Sequence, residues 1–350
     1  MSSNAPSPAT ERQAGIEWMR GIAAFGVICI HAGLAVHNRT TPTAGALLPD
    51  LFSFAVPFFL MTSFFFALRA EAGPWLPWRD WMHRRAGRLL IPFAFWSAVY
   101  LALHVGKLAL HHQGDQIKAL FKDPAVLVLS GGTSVALYFL PLVFTGLFII
   151  HSLSGALKRL PSLTLALGFV VALALYELWW CQGNAFDLDS PNLSQAPLKL
   201  ALGFLEFGLR CLPLVLAAAL LTRHLPSPAT QNAYAFIFAG AIFLVVAHYI
   251  CPPAGVRDSV LGVGAFLLAW GLCGLLPASK WAITVGLFSF GVYLVHQVYL
   301  ELIQLVFPYR APSGAIIILA ITSTVFIASM LTVSLANRGG WLMRSIFGIK

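Results

Sequence analysis

Residues 16–36 read IEWMRGIAAFGVICIHAGLAV, a stretch long and apolar enough to cross a bilayer as one helix. It nevertheless contains Arg20 and His31. A charged side chain at the centre of a membrane helix costs about 2.5–3.5 kcal/mol, so such residues usually face a protein interior and serve function. The eleven-residue spacing gives about three full turns, which places both side chains on one face, roughly 16 Å apart along the axis. A helix-end arginine that extends to the headgroups and a histidine hydrogen-bonded by a neighbouring helix would fit the same residues.

The composition extends this pattern to the whole chain of 350 residues. Apolar residues make up 59% and charged residues 10% of the sequence, and the mean hydropathy is +0.81, which excludes a water-soluble domain. About twenty apolar residues span a bilayer as a helix, and none of the apolar runs alternates as a membrane strand would. The chain therefore predicts an all-α polytopic membrane protein with about ten transmembrane helices. The predicted segments are 16–36, 49–69, 88–106, 134–153, 162–180, 200–221, 233–250, 258–277, 281–305 and 313–336.

The distribution of lysine and arginine predicts the orientation. With the N-terminus inside, about twice as many of these residues fall on the cytoplasmic side as on the other, and the richer side is normally cytoplasmic. Both termini are therefore predicted to be cytoplasmic, as tails of residues 1–15 and 337–350 around one transmembrane domain of residues 16–336. The net charge of +9 reflects this bias and does not indicate a nucleic-acid partner, since no soluble surface remains to bind one. The first segment lacks a convincing cleavage site and is predicted to be retained.

The cytoplasmic loop before the third segment contains Arg85 and Arg88. Their spacing places two guanidinium groups on one helical face where the chain enters the membrane, and such groups bind phosphate oxygens through charge-assisted hydrogen bonds. Three tryptophans and further arginines in the same loop also fit an element that lies on the inner leaflet and fixes the topology. Both interpretations remain open from these residues.

Other polar residues of the segments require a partner. Glu206 and Arg210 are four residues apart, a spacing that allows an ion pair within the membrane, as structure or as the wall of a polar cavity. Tyr293 and His296 share one face of the ninth segment. The five cysteines show no metal-ligand spacing and no metal is predicted, while Cys181 and Cys251, both outside, would allow a disulfide. The polar outer loop 107–133 either covers an outward-facing cavity or is solvated.

Over essentially its full length the chain resembles the acyltransferase 3 family, integral-membrane enzymes that modify bacterial cell-surface and exported sugars. Three motifs carry the resemblance: Arg20 followed by His31 after an acidic-x-x-Arg-Gly start, Arg85-x-x-Arg88 followed by LLIP, and FSFGVYLVH at 288–296. An aromatic-Leu element containing Tyr138 adds to them. Glu17 stands where the family more often has Asp, and Phe290 where it more often has Tyr.

The resemblance implies an enzyme of the bacterial inner membrane that moves an acetyl or other acyl group from acyl-CoA to a sugar hydroxyl. The acceptor would be an exported polysaccharide or its lipid-linked repeat unit, and a xanthan-type exopolysaccharide acetyltransferase would fit a stand-alone chain. His31 and Arg20 would be the catalytic residues, with His31 as the general base and Arg20 either holding a phosphate or polar part of the donor or orienting groups below the histidine. Arg85 and Arg88 would bind the phosphates of the donor. No tightly bound cofactor is expected. Glu17, Tyr138, Glu206, Arg210, Tyr293 and His296 are expected to line or support the cavity.

A secondary transporter of a sugar or lipid-linked sugar is the competing class, because buried His, Arg and Glu residues serve such proteins equally well. Many transporters contain internal repeats with helices broken at matched positions. No such pairing is found in this sequence. A membrane assembly subunit would leave the buried charges unexplained.

Overall fold

The fold is that of a helical membrane protein, seen here in a computed structural model. The structure describes residues 13–36, 44–70, 76–129, 131–134, 136–181, 196–228, 230–250, 254–277, 279–306 and 314–349. These ranges contain helices and connecting turns and no strand. Within a bilayer the backbone must satisfy its own hydrogen bonds, and long apolar runs do so as helices.

Fifteen helices follow one another in the described ranges. The first seven are α1 (Ala14–Val36), α2 (Ala44–Leu51), α3 (Ala55–Ala70), α4 (Trp78–Arg85), α5 (Ile91–Leu110), α6 (Gly114–Leu120) and α7 (Pro124–Leu129), with a π-helical turn, Ala86–Leu90, between α4 and α5. The next four are α8 (Phe139–Arg159), α9 (Ser162–Cys181), α10 (Ala196–His224) and α11 (Thr230–Tyr249). The last four are α12 (Ala254–Cys273), α13 (Lys280–Val306), α14 (Ala315–Asn337) and α15 (Trp341–Ile346).

The prediction of an all-α polytopic membrane protein is confirmed. The predicted segment 49–69 covers the end of α2 and most of α3, which residues 52–54 separate, and each of the other nine predicted segments overlaps one long helix. Nine helical stretches in the described ranges are long and apolar enough to cross a membrane. Helix α1 is not among the nine, although its 23 residues would extend about 34 Å. It contains the ionisable residues Glu17, Arg20 and His31.

Helix α1 lies at the centre of the bundle, in contact with α13, α12, α14 and α3. One close approach to α13 occurs at Gly286, where a Cβ atom would lie 2.8 Å from the Cβ atom of Glu17. Glycine is required there because any larger residue would push the two helices apart. This tight packing holds the ionisable residues of α1 against α13 rather than against lipid.

Helices also form outside the predicted spans, in the loop that contains α4, in the outer loop and in the predicted C-terminal tail. The outer loop contains α6 and α7, and Lys199 of α10 forms an ion pair with Asp123 at 3.2 Å, so this loop packs back on the bundle. The predicted C-terminal tail contains α15, which packs on α5 and α14. The predicted pair Cys181 and Cys251 falls outside the described residues, because Cys251 does.

Candidate functional site

A cavity of about 420 Å³ opens where α1 and α13 begin and where α3 ends, at the end of the bundle predicted to be cytoplasmic. We call it the arginine cavity, because Arg20, Arg85 and Arg88 line it together. Small-molecule sites in proteins usually enclose about 300–1,000 Å³. The structure therefore brings the arginines of two separate sequence motifs to one space large enough for part of a ligand.

Local structure explains how Arg85 and Arg88 reach this space. Arg85 ends α4 and Arg88 lies in the π-helical turn that follows, before Pro92 in the first turn of α5. The sequence predicted that Arg85 and Arg88 lie on one face of a continuous helix. The structure instead places a π-helical turn between α4 and α5, and such turns occur frequently at functional sites. Both side chains nevertheless line the cavity.

The electrostatic balance of the arginine cavity is positive. Glu17 is nearly buried and accepts a hydrogen bond from Arg20 at 3.2 Å. Arg20 therefore has a negatively charged neighbour on its own helix. Among the described residues that line the cavity, none is Asp or Glu. Three guanidinium groups that line one cavity favour an anionic ligand, and arginine is the side chain best suited to bind phosphate oxygens.

The cavity extends from the arginines into the bundle along α13. Gly286 and Tyr293 both line it, and seven residues of helix correspond to about 10 Å. At the inner end, the rings of Phe139 and Tyr293 pack edge to face with centroids 5.2 Å apart. The Tyr293 hydroxyl donates a hydrogen bond to the carbonyl oxygen of Ala136, which fixes this ring in place.

Beyond Tyr293 lies a pair of histidines. The ring of His296 is 5.7 Å from that of Tyr293 and 5.3 Å from that of His31. His296 is fully buried, whereas His31 is partly accessible. His31 is not among the residues that line the arginine cavity; it is linked to the cavity wall by the ring contacts of His296 and Tyr293.

The hydrogen bonding of His296 defines its tautomer. Its Nδ1 lies 2.6 Å from the carbonyl oxygen of Tyr293, and because a carbonyl only accepts, Nδ1 donates. In the neutral ring Nε2 is then an acceptor. In the described part of the protein this buried atom has no hydrogen-bond partner. The pair therefore combines one imidazole fixed by the backbone with a second, accessible imidazole beside it.

A second polar cluster lies beside Tyr138, the residue before Phe139 in the chain. Arg210 forms an ion pair with Asp258 of α12 at 2.9 Å, and its guanidinium lies 5.7 Å from the ring centroid of Tyr138. The spacing of Glu206 and Arg210 allowed an ion pair between them, but the structure pairs Arg210 with Asp258 instead. Sequence reasoning missed Asp258, although an ionisable residue at the edge of an apolar run was the available signal.

Two further observations complete the comparison with the sequence. His151 of α8 is buried and stacks on Trp81 of α4 with ring centroids 4.8 Å apart. Gly348 and Ile349, from the predicted tail, line the arginine cavity, and sequence reasoning did not anticipate them. Within the described ranges, no group of three or more His, Cys, Asp or Glu residues is placed to hold a metal ion.

The chain was compared with known protein families, curated proteins and solved structures. A family model described as an acyltransferase domain matches residues 13–334. No curated protein and no solved structure matches the chain. The matched region includes the three arginines and both histidines described above and ends before α15.

Proposed function

Because the chain belongs to the acyltransferase 3 family and is a membrane acyltransferase, we propose that it transfers an acyl group, in the first instance acetyl, from cytoplasmic acyl-CoA. The acceptor is a sugar hydroxyl of an exported polysaccharide or of its lipid-linked repeat unit. The observation that carries the proposal is the alignment of the arginine cavity, Tyr293 and the histidine pair along α1 and α13.

The donor enters from the end of the bundle where the arginines lie. Its diphosphate binds Arg85 and Arg88, whose planar guanidinium groups form paired hydrogen bonds to phosphate oxygens. Arg20, oriented by Glu17 at 3.2 Å, binds a polar part of the donor deeper in the cavity. The slender pantetheine arm then follows α1 over the roughly 16 Å from Arg20 to His31. On this path it passes the rings of Phe139 and Tyr293.

Transfer takes place at the histidine pair. The acceptor hydroxyl attacks the thioester carbonyl carbon while the His31 imidazole takes its proton, a role suited to histidine near neutral pH. The tetrahedral intermediate then collapses, the carbon–sulfur bond breaks, and the CoA thiolate leaves and receives the proton from the imidazolium. His296 of α13, whose ring lies beside that of His31 on α1, supports the His31 ring through this contact. In a variant of this step, the acyl group is first carried covalently on the histidine. Trapping of an acyl-enzyme would reveal that variant.

The proposal requires a defined orientation in the bacterial inner membrane. With both termini cytoplasmic, the arginine cavity faces acyl-CoA, and the acceptor reaches His31 from the outer side, so acyl groups cross while CoA does not. Reporter fusions after Arg79 and Lys350 should then report the cytoplasmic side, and fusions after Arg39, Cys181 and Pro252 the outer side. A single reproducible reversal would contradict this orientation.

Donor binding provides the direct test. Purified chain in nanodiscs should bind acetyl-CoA, and the Arg85→Ala/Arg88→Ala double variant should lose at least about a hundredfold in affinity, because each charged hydrogen-bonding group contributes about 1.5–3 kcal/mol. Arg79→Ala is the matched control, since this exposed arginine of α4 does not line the cavity. Equal acetyl-CoA affinity in the double variant and the wild type would limit Arg85 and Arg88 to a role in topology.

The transporter alternative makes a different prediction. A transporter would move its sugar substrate without consuming acyl-CoA, and labelled acetyl from acetyl-CoA would never appear on extracellular polysaccharide. Cells given labelled acetate and expressing the wild-type chain should instead carry labelled O-acetyl groups on that polysaccharide.

A further inference from the structure

The last residues of the chain form a segment that the family match does not include. We call residues 341–349 the C-terminal strap; it consists of α15 and the three residues after it. Trp96 of α5 donates a hydrogen bond from Nε1 to the carbonyl oxygen of Ile346 at 3.1 Å. Phe347 is buried, with its ring 5.4 Å from that of Trp96. The strap is therefore docked on the bundle.

A glycine turn directs the strap into the arginine cavity. Gly348 has φ +63°, a left-handed conformation that glycine adopts at little cost. A Cβ atom at this position would lie 2.5 Å from the ring of Phe290. The turn is closed by the amide of Ile349, which donates to the carbonyl oxygen of Arg344 at 2.9 Å. As a result Gly348 and Ile349 form part of the cavity wall.

The strap also forms a second cavity, of about 300 Å³, which we call the strap cavity. Trp341, Arg344 and Ser345 line it from the strap, and Arg88 lines it from the π-helical turn. The two cavities share Arg88, Gly348 and Ile349. They are therefore neighbouring parts of one surface, with Arg88 on the boundary between them.

The chemistry of the strap cavity is that of a site for a phosphorylated aromatic group. Arg344 and Arg88 are both exposed, and among the described residues that line the cavity none is acidic. Trp341 is 72% exposed and offers a free aromatic face, on which a nucleobase can stack. Ser345, four residues after Trp341, lies on the same side of α15 and adds a hydroxyl group.

The other side of α15 has a different character. Leu342 and Met343 are 60% and 52% exposed and do not line the strap cavity. These apolar side chains suit contact with lipid at the membrane surface. Membrane contact therefore accounts for one face of the strap and leaves the face with Trp341 and Arg344 available for a ligand.

We propose that the strap cavity binds the 3′-phosphoadenosine part of the acyl-CoA donor. Arg344 and Ser345 bind the 3′-phosphate, Trp341 stacks on the adenine ring, and Arg88 bridges to the diphosphate held in the arginine cavity. The inference rests on the proposed donor and adds to it a specificity for the phosphorylated nucleotide. The enzyme thereby distinguishes intact acyl-CoA from donors that contain only the pantetheine arm.

The 3′-phosphate provides a selective probe. Wild-type chain in nanodiscs of neutral phosphatidylcholine should bind acetyl-CoA about tenfold more tightly than 3′-dephospho-acetyl-CoA, because one charge-assisted interaction is lost. Arg344→Ala should remove this preference by weakening acetyl-CoA binding alone. Trp341→Ala should weaken both ligands equally, and Trp341→Phe should restore most of that loss. Arg338→Ala is the matched control, since Arg338 is exposed near the strap but lines neither cavity.

The outcomes separate this inference from the proposed function. If the wild type binds both ligands equally and Arg344→Ala changes neither, the strap inference is wrong while the acyl-CoA donor stands. If Arg344→Ala alters only the response to added anionic lipid, the strap cavity binds a lipid phosphate and the nucleotide assignment is overturned. If the wild type binds neither ligand, the proposed donor fails, and the strap inference fails with it.

Discussion

Replacement of His31 by glutamine tests the proposed chemistry most directly. Glutamine has a similar size and can form hydrogen bonds, but it cannot take up a proton near neutral pH. The side chain at position 31 is partly accessible and lies beside His296, so the substitution should alter packing little. The variant therefore removes the base while leaving the surrounding helices in place.

The expected size of the effect follows from the geometry. General-base catalysis contributes about 10²–10⁴-fold, which corresponds to about 2.7–5.5 kcal/mol in the barrier to transfer. A substitution at a partly accessible site costs about 0.5–1.5 kcal/mol in the free energy of unfolding. Donor affinity should not change, since Arg20 is roughly 16 Å from His31 along α1 and His31 does not line the arginine cavity. The loss of activity should thus exceed any loss of stability.

The assay compares three quantities between His31→Gln and the wild type. Acetyl transfer is measured as O-acetyl groups on extracellular polysaccharide from cells that express only the variant, acetyl-CoA affinity is measured in nanodiscs, and stability is measured as Tm. His104→Gln is the matched control, because His104 is an exposed histidine of α5 outside the cavity lining. Substantial O-acetylation by His31→Gln, at normal protein level, would refute the assignment of His31 as the base.

Three further perturbations test the architecture of the site. Gly348→Ala should lower Tm and reduce acetyl-CoA affinity, since the left-handed backbone and the ring of Phe290 together oppose a Cβ atom by about 1–3 kcal/mol. The control Gly340→Ala should change neither Tm nor affinity, because the space around its Cβ position is open. Asp258→Asn should destabilise the protein by about 1–3 kcal/mol, because it removes the carboxylate that pairs with Arg210 within the membrane, and an unchanged Tm in detergent would contradict this. Arg88→Lys should bind acetyl-CoA with an affinity between those of wild type and Arg88→Ala, because lysine keeps the charge but loses the paired hydrogen bonds; equal affinity of the lysine variant and wild type would show that charge alone suffices.

The sequence predicted the helical architecture well. Each predicted apolar segment is helical over most of its length, because a bilayer leaves an apolar run of about twenty residues few other ways to satisfy its backbone. The face shared by Arg20 and His31 also followed from helical geometry. Local spacing was less informative for Glu206 and Arg210. The four-residue interval shows only that an ion pair between these two side chains is able to form. The observed partner of Arg210 is Asp258, which comes from another helix whose position no local pattern reveals.

The strap shows the same limit at the C-terminus. Residues 341–349 are short and mixed in character, so the sequence indicated only a tail. Their docking depends on Trp96, about 250 residues earlier, and on the turn at Gly348.

The sequence alone thus determined the class of protein, the apolar helical segments and the motifs of its family, since these depend on composition and on short periodic spacings. Only the tertiary structure decided which side chains share a space: three arginines in one cavity, His31 beside His296, and Arg344 next to Arg88. The physical reason is that contacts between helices depend on how their surfaces pack. Close approaches such as that of Gly286 to Glu17 set that packing, and they join residues far apart in the chain.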